Sequence, residues 1–173
     1  MNKKLVAAAV VTGILCGAWA GLAGYANLSV WIGFAACTAY FACGRSRMSE
    51  ALPMTLATVL VGVLTAFLML WGSAPIGGNV GTGLAVGVVV GLIVLMGAVK
   101  WLAFVPGIFV GCYSTFGYLA VVENGDWTGA HLWTLLGSLV AGALLGLACA
   151  ELGRLAGERL VGPEPVLEEI AVP

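Results

Sequence analysis

Trp101-Leu-Ala-Phe-Val-Pro-Gly-Ile-Phe-Val-Gly-Cys-Tyr-Ser-Thr-Phe-Gly-Tyr118 is apolar enough to sit in a lipid bilayer, yet it holds Pro106, Gly107 and the hydroxyls of Tyr113, Ser114 and Thr115. Proline withholds a backbone donor and its ring collides with the carbonyl four residues back, so a kink or break is expected at Pro106-Gly107. Lipid cannot satisfy the freed backbone groups, which restricts such a break to surroundings of protein or a wet cavity. A second stretch, Ser29 to Gly44, has the same character. Setting Cys37 on Cys112 also sets Phe41 on Phe116, Ala39 on Ser114 and Tyr40 on Thr115. The chain therefore reads as an all-α polytopic membrane protein, with an internal duplication as an open question.

Composition allows little else. Hydrophobic residues make up 61% and charged residues 9% of the 173 residues, and mean hydropathy is +1.08, whereas soluble domains average about 25% charged. Too few polar residues remain to coat a water-facing globule. The length suits one helical transmembrane domain over 1–160, followed by a short tail at 161–173 in which Gly162-Pro-Glu-Pro165 stops the helix and Glu168-Glu169 adds acid. A formal charge of -1 without a basic patch argues against nucleic acid as a partner. The lipid bilayer is the partner this composition demands. Lys3-Lys4 and the apolar run behind them also resemble a secretory signal, with Ala18-Trp-Ala20 as a cleavage-like tripeptide. Because the remainder is equally hydrophobic, an uncleaved first span is expected.

Six apolar segments stand out: Leu5–Leu22, Leu28–Cys43, Pro53–Trp71, Val80–Val99, Trp101–Val122 and Leu132–Leu152. A span takes about 20 residues, and only the second segment is clearly short. With the N-terminus inside, alternate connections carry Lys3 and Lys4, Arg45 and Arg47, Lys100, and Arg154 and Arg159, all seven basic residues of the chain. The connections at Ala23–Asn27, Gly72–Asn79 and Glu123–His131 carry none, and the last adds Glu123 and Asp126. Lysine and arginine bias sets orientation. Six crossings with both termini cytoplasmic follow.

Three spans per half make the halves antiparallel, the arrangement of inverted-repeat transporters. Thr55-Leu56 and Leu60-Val61 match Thr134-Leu135 and Leu139-Val140 in the third and sixth spans, while the first and fourth give no comparable match. In the fourth span Gly83, Gly87 and Gly91 share one helix face, a spacing that lets backbones approach closely. Contact inside the bundle is the expectation; contact between subunits of a homo-oligomer is the alternative. Gly13 with Gly17, and Gly142 with Gly146, offer shorter seams of the same kind.

Membrane depth holds no carboxylate or histidine of the sort that marks proton relays. His131, Glu151 and Lys100 fall at span ends and read as anchors. Cys16, Cys37, Cys43, Cys112 and Cys149 lack metal-ligand spacing and read as small core residues, so no metal, cofactor or catalytic residue is assigned and no enzyme is expected. What remains is neutral. Cys37, Thr38 and Tyr40 in the second span, with Cys112, Ser114 and Thr115 in the fifth, are candidate pore-lining residues. Gly33, Cys37, Tyr40 and Gly44 form one stripe at helical spacing, and Gly107, Gly111, Ser114 and Tyr118 form another. Each stripe is either a tight helix contact or the wall of a narrow pore.

The segments Thr12-Gly-Ile-Leu-Cys-Gly-Ala-Trp19, Gly33-Phe-Ala-Ala-Cys-Thr-Ala-Tyr-Phe-Ala-Cys43, Phe104-Val-Pro-Gly-Ile-Phe-Val-Gly111 and Gly125-Asp-Trp127 resemble the YcdZ-like family of small bacterial inner-membrane proteins, a domain of unknown function. The resemblance covers the chain from about Thr12 to the sixth span. It implies an inner-membrane location and a multi-span helical fold, and it supplies no substrate or site residue. The residues themselves favour a passive channel or facilitator for a small neutral solute. The rival is a structural or partner-binding membrane subunit without a permeation path.

Overall fold

The computed structural model describes residues 3–45, 47–122 and 130–161. Six helices occupy them: α1 Lys3–Leu22, α2 Val30–Ala42, α3 Met48–Ser73, α4 Gly78–Met96, α5 Val105–Val121 and α6 Ala130–Val161. Four stretches are long and apolar enough to cross a membrane, at Lys3–Ala26, Met48–Ser73, Gly78–Met96 and His131–Arg159. The other two helices are shorter, 13 residues in α2 and 17 in α5, and a 3-10 turn precedes each, at Ala23–Ala26 and Lys100–Leu102. The connection with Glu123 and Asp126, and the tail beyond Val161, lie outside the described residues.

Pro106 does not kink a span. Phe104 caps α5 and Pro106 occupies its first turn, where the missing donor has no intrahelical acceptor to disappoint and the fixed φ already suits a helix. The expected break is instead the end of one helix and the start of the next. Pro53 is the proline inside a helix, in α3, where it leaves the Ser49 carbonyl without its usual partner four residues on.

Packing runs through glycine. A Cβ on Gly62 would collide with the Ile108 carbonyl and lie 2.8 Å from Gly111 Cα; one on Gly111 would collide with the Val59 carbonyl. Backbones of α3 and α5 thus touch without side chains between them. At the equivalent crossing of α2 with α6, a Cβ on Gly142 would collide with the Gly33 carbonyl and lie 2.6 Å from Gly33 Cα. Without a hydrophobic driving force between helices in lipid, such close approach gives dispersion and weak Cα–H bonds the whole seam to act on.

The contacts also fix helix directions. Gly107 meets Thr58 and Gly111 meets Gly62, so α5 runs parallel to α3; Gly142 meets Gly33 and Gly146 meets Tyr40, so α6 runs parallel to α2. Ala8 against Gly153 and Lys4 against Gly157 make α1 antiparallel to α6, and Gly72 against Ala85 with Ser73 against Gly81 make α4 antiparallel to α3. The start of α2 shares a cleft with the end of α5, and the end of α2 shares one with the residues before α5, so these two are antiparallel. Directions therefore alternate along the chain, and all seven lysines and arginines gather at one end of the bundle.

Two glycine expectations part ways here. Gly142 and Gly146 are a genuine seam, but Gly83, Gly87 and Gly91, like Gly13 and Gly17, have nothing within 4 Å of a Cβ. They face away from the bundle, so the expected contact inside it is not made. The reason is rotational: Gly81, Val89 and Ile93 are the buried residues of α4, and they lie on another face of the helix.

Candidate functional site

Two clefts open at opposite ends of the bundle. The first, about 740 Å³, is lined by Ala26, Asn27, Leu28, Tyr118, His131, Trp133 and Thr134. Its rim begins at Asn27, the one non-glycine residue described with positive φ, 55°. Asparagine tolerates this left-handed conformation, which lets its N–H donate to the Gly24 carbonyl at 3.1 Å and Leu28 N–H to the Ala23 carbonyl at 2.9 Å. The chain then turns into α2. There the Ser29 N–H donates to Ser138 Oγ at 2.7 Å, and Ser138 Oγ donates to the Thr134 carbonyl at 2.6 Å. Across the cleft Tyr118 Oη and His131 Nδ1 stand 3.3 Å apart.

The second cleft, about 250 Å³, is lined by Arg45, Ser49, Glu50, Met54, Lys100 and Trp101. Gly44, with φ 67°, ends α2 in the left-handed conformation that a side chain would disfavour. Arg45 then reaches Glu50 at 3.7 Å, an exposed pair of the kind that contributes little to stability.

Inward of each cleft lies a hydroxyl with no partner. Ser114 is one helical turn inside Tyr118 on α5, and Thr55 directly follows Met54 on α3. Both are fully buried, and Ser114 Oγ and Thr55 Oγ1 have no hydrogen-bond partner among the described residues. An unsatisfied buried hydroxyl costs about 1–3 kcal/mol, so these two ask for a partner such as water or solute. Neighbouring hydroxyls have already spent theirs on their own helices: Thr58 Oγ1 on the Met54 carbonyl at 2.8 Å, Thr65 Oγ1 on the Gly62 carbonyl at 2.8 Å, and Thr115 Oγ1 on the Gly111 carbonyl at 2.8 Å.

The expected pore-lining residues do not share a lumen. Cys37 and Tyr40 are buried against α6, with Tyr40 Cβ 2.8 Å from a Cβ on Gly146. Cys112 is buried with Sγ 4.0 Å from Met69 Sδ on α3. Thr38 faces out of the bundle and bonds back to the Phe34 carbonyl at 2.9 Å, which removes it from any lining. Of the expected lining residues, Ser114 has a fully buried hydroxyl without a partner among the described residues. The Gly33/Cys37/Tyr40/Gly44 stripe is thus mainly a helix contact. The other stripe divides, with Gly107 and Gly111 closing on α3 while Ser114 and Tyr118 lead to the cleft. The sequence marks His131 as an anchor and Thr55 and Thr134 as repeat partners; Thr134 and His131 line the first cleft, and Thr55 lies next to Met54 of the second.

Apolar helices with glycine crossings and clefts at both ends define an integral membrane protein of small, tightly packed helices. The chain belongs to the family described as Protein of unknown function (DUF1097), which matches residues 9–154. It is 36% identical over 154 residues to Inner membrane protein YcdZ of Escherichia coli (strain K12), covering 86% of this chain and 85% of that protein. It is 33% identical over 150 residues to Inner membrane protein YcdZ of Salmonella typhimurium (strain LT2), covering 86% and 87%. No solved structure matches. The relatives' names and the apolar helices together support residence in the inner membrane.

Proposed function

We propose that the protein is a passive facilitator for a small neutral solute, with six crossings and both termini cytoplasmic. The observation that carries this reading is the pair of buried, unpartnered hydroxyls, Ser114 one helical turn from Tyr118 of the first cleft and Thr55 next to Met54 of the second. A solute or water entering a cleft would satisfy one of them, as polar linings do when they replace part of a hydration shell. Arg45, Glu50 and Lys100 stand at the mouth of the second cleft, but no lysine, arginine, aspartate or glutamate lies between Thr55 and Ser114 in the helices they occupy, which suits a neutral solute.

The halves α1–α3 and α4–α6 are read as an inverted repeat. Each has a short second helix preceded by a 3-10 turn. The packing agrees, since α6 lies along α1 and α2, and α3 lies along α4 and α5. The two clefts fall at corresponding places: the start of α2, end of α5 and start of α6 for one, and the approach to α5, end of α2 and start of α3 for the other. The path is shut in the described state. The α3–α5 register, a constant offset of 49 residues, sets Ser114 level with Thr65, ten residues beyond Thr55. That is about 15 Å of closed packing at a rise of about 1.5 Å per residue, and passage requires α2 and α5 to part from their neighbours.

Proteoliposomes test the reading directly. Vesicles holding the protein should admit at least one of urea, glycerol, short amides or ammonia faster than protein-free vesicles, with Ser114→Ala and Thr55→Val altering which solute passes. Thr115→Val should leave permeation unchanged, since that hydroxyl is bonded to the Gly111 carbonyl of its own helix. Vesicles no leakier than controls to any of these solutes would favour a structural or partner-binding subunit. That second reading has its own support in Gly83, Gly87 and Gly91, a close-approach stripe with open space before it, suited to a second copy or another membrane helix. Catalysis has no part in either reading.

A further inference from the structure

On the outside of the bundle, side chains of the packed helices α1 and α6 leave a groove of about 580 Å³ walled by Val11, Ile14, Leu152 and Leu155 with Arg159 at one end. Its walls are apolar, and they run a definite length. Lys4 faces Gly157, Arg159 lies two residues further along α6, and Ile14 lies ten residues the other way along α1. Twelve residues at about 1.5 Å each make about 18 Å, close to the hydrocarbon depth of one leaflet, about 15 Å. The charge is equally placed. Arg154 on the same helix is held by Glu151 at 2.9 Å and Glu158 at 2.8 Å. Arg159 makes no ion pair among the described residues, and it stands at the end of the bundle where the chain's basic residues gather.

We infer that this groove binds one anionic glycerophospholipid, an acyl chain lying along Val11, Ile14, Leu152 and Leu155 and the phosphate meeting the Arg159 guanidinium. Guanidinium and phosphate are matched in shape as well as charge, because two parallel N–H groups reach two phosphate oxygens. An apolar groove alone would take any lipid tail; the cation at its mouth makes it select a head group. The inference rests on the membrane reading only for which leaflet supplies the lipid, and it is independent of any solute path.

Native mass spectrometry of the full chain, released from detergent micelles after titration with chain-matched phosphatidylglycerol or phosphatidylethanolamine, provides the test. Phosphatidylglycerol should bind about fivefold more tightly, the worth of one Lys or Arg near a membrane surface. Arg159→Gln should bring it down to the phosphatidylethanolamine level, and Arg47→Gln, away from the groove, should keep the preference. Leu155→Trp, which fills the groove from its exposed side, should weaken both lipids. Unchanged melting temperatures for these surface variants establish that they fold. Equal binding of the two lipids by the wild type, or a preference that survives Arg159→Gln, overturns the inference. Displacement of the lipid by equimolar glycerol 3-phosphate would reassign the site to a soluble phosphate, and a dimer abolished by Leu155→Trp would reassign the groove to a second copy.

Discussion

Ser138 and Ser114 are both fully buried serines, and removing their hydroxyls should have opposite consequences. Ser138 Oγ receives the Ser29 N–H at the entry to α2, where a helix start has donors to satisfy. Ser138→Ala leaves that N–H without an acceptor and should cost about 1–3 kcal/mol, read as a lower melting temperature in detergent. Ser114→Ala removes an oxygen that nothing in the chain satisfies. If water or solute fills that need, the alanine gains no stability; if the site is dry, the desolvation penalty disappears and the melting temperature rises. A rise for Ser114→Ala or Thr55→Val would take away the observation on which the facilitator reading stands. Neither serine's role was legible in the sequence. A hydroxyl's partner depends on its rotamer and on what faces it, and Ser114 and Thr115, adjacent in the chain, ended one unspent and one bonded to its own helix.

At the scale of helices, the short second segment is legible in the sequence, whereas the fifth, read as Trp101–Val122, is the shorter α5 of 17 residues, and the sequence misjudges which glycines touch. Spacing says that Gly83, Gly87 and Gly91 share a face; it does not say what lies opposite. In a membrane helix that is apolar all round, hydrophobicity no longer marks the inward side, because lipid and protein interior are equally apolar. Gly62, alone on its face, and Gly111, one turn after Gly107, make the closest backbone contact instead. Gly62→Ala should therefore force α3 and α5 apart, with overpacking of about 1–3 kcal/mol, whereas Gly87→Ala should be silent in the isolated chain. Thermal unfolding of both variants in one detergent decides this. Equal loss at the two positions would contradict the observed face of α4, and a change of oligomer mass with Gly87→Leu alone would assign the stripe to contact between copies. Pro106 shows the same limit from another side. Its chemistry forbids a helix interior, but only the fold tells whether it breaks a helix or begins one.

At the scale of the whole molecule, charge was the most legible feature. Seven basic residues, distributed over four places in the chain, come to one end of a bundle whose helix directions follow from glycine contacts and, for α2 against α5, from the residues the two clefts share. Inner-membrane proteins keep lysine and arginine on the cytoplasmic side, so that end is proposed to face the cytoplasm. The helix that tests the six-crossing reading is α2, whose 13 residues rise only about 20 Å against a core of about 30 Å. A re-entrant α2 would return the chain to the side it came from and put Arg45 and Arg47 opposite Lys3 and Lys4. A spanning α2 has its short length made up by the 3-10 turn Ala23–Ala26 before it and by Gly44 and Arg45 after it. Alkaline phosphatase fusions after Asn27 and Ala74 should be active, reporting the periplasm, and fusions after Gly44 and Gly97 should be inactive. Activity after Gly44 would mean that α2 does not cross. The two clefts would then no longer open on opposite sides of the membrane, and the facilitator reading and the inverted repeat would fall together.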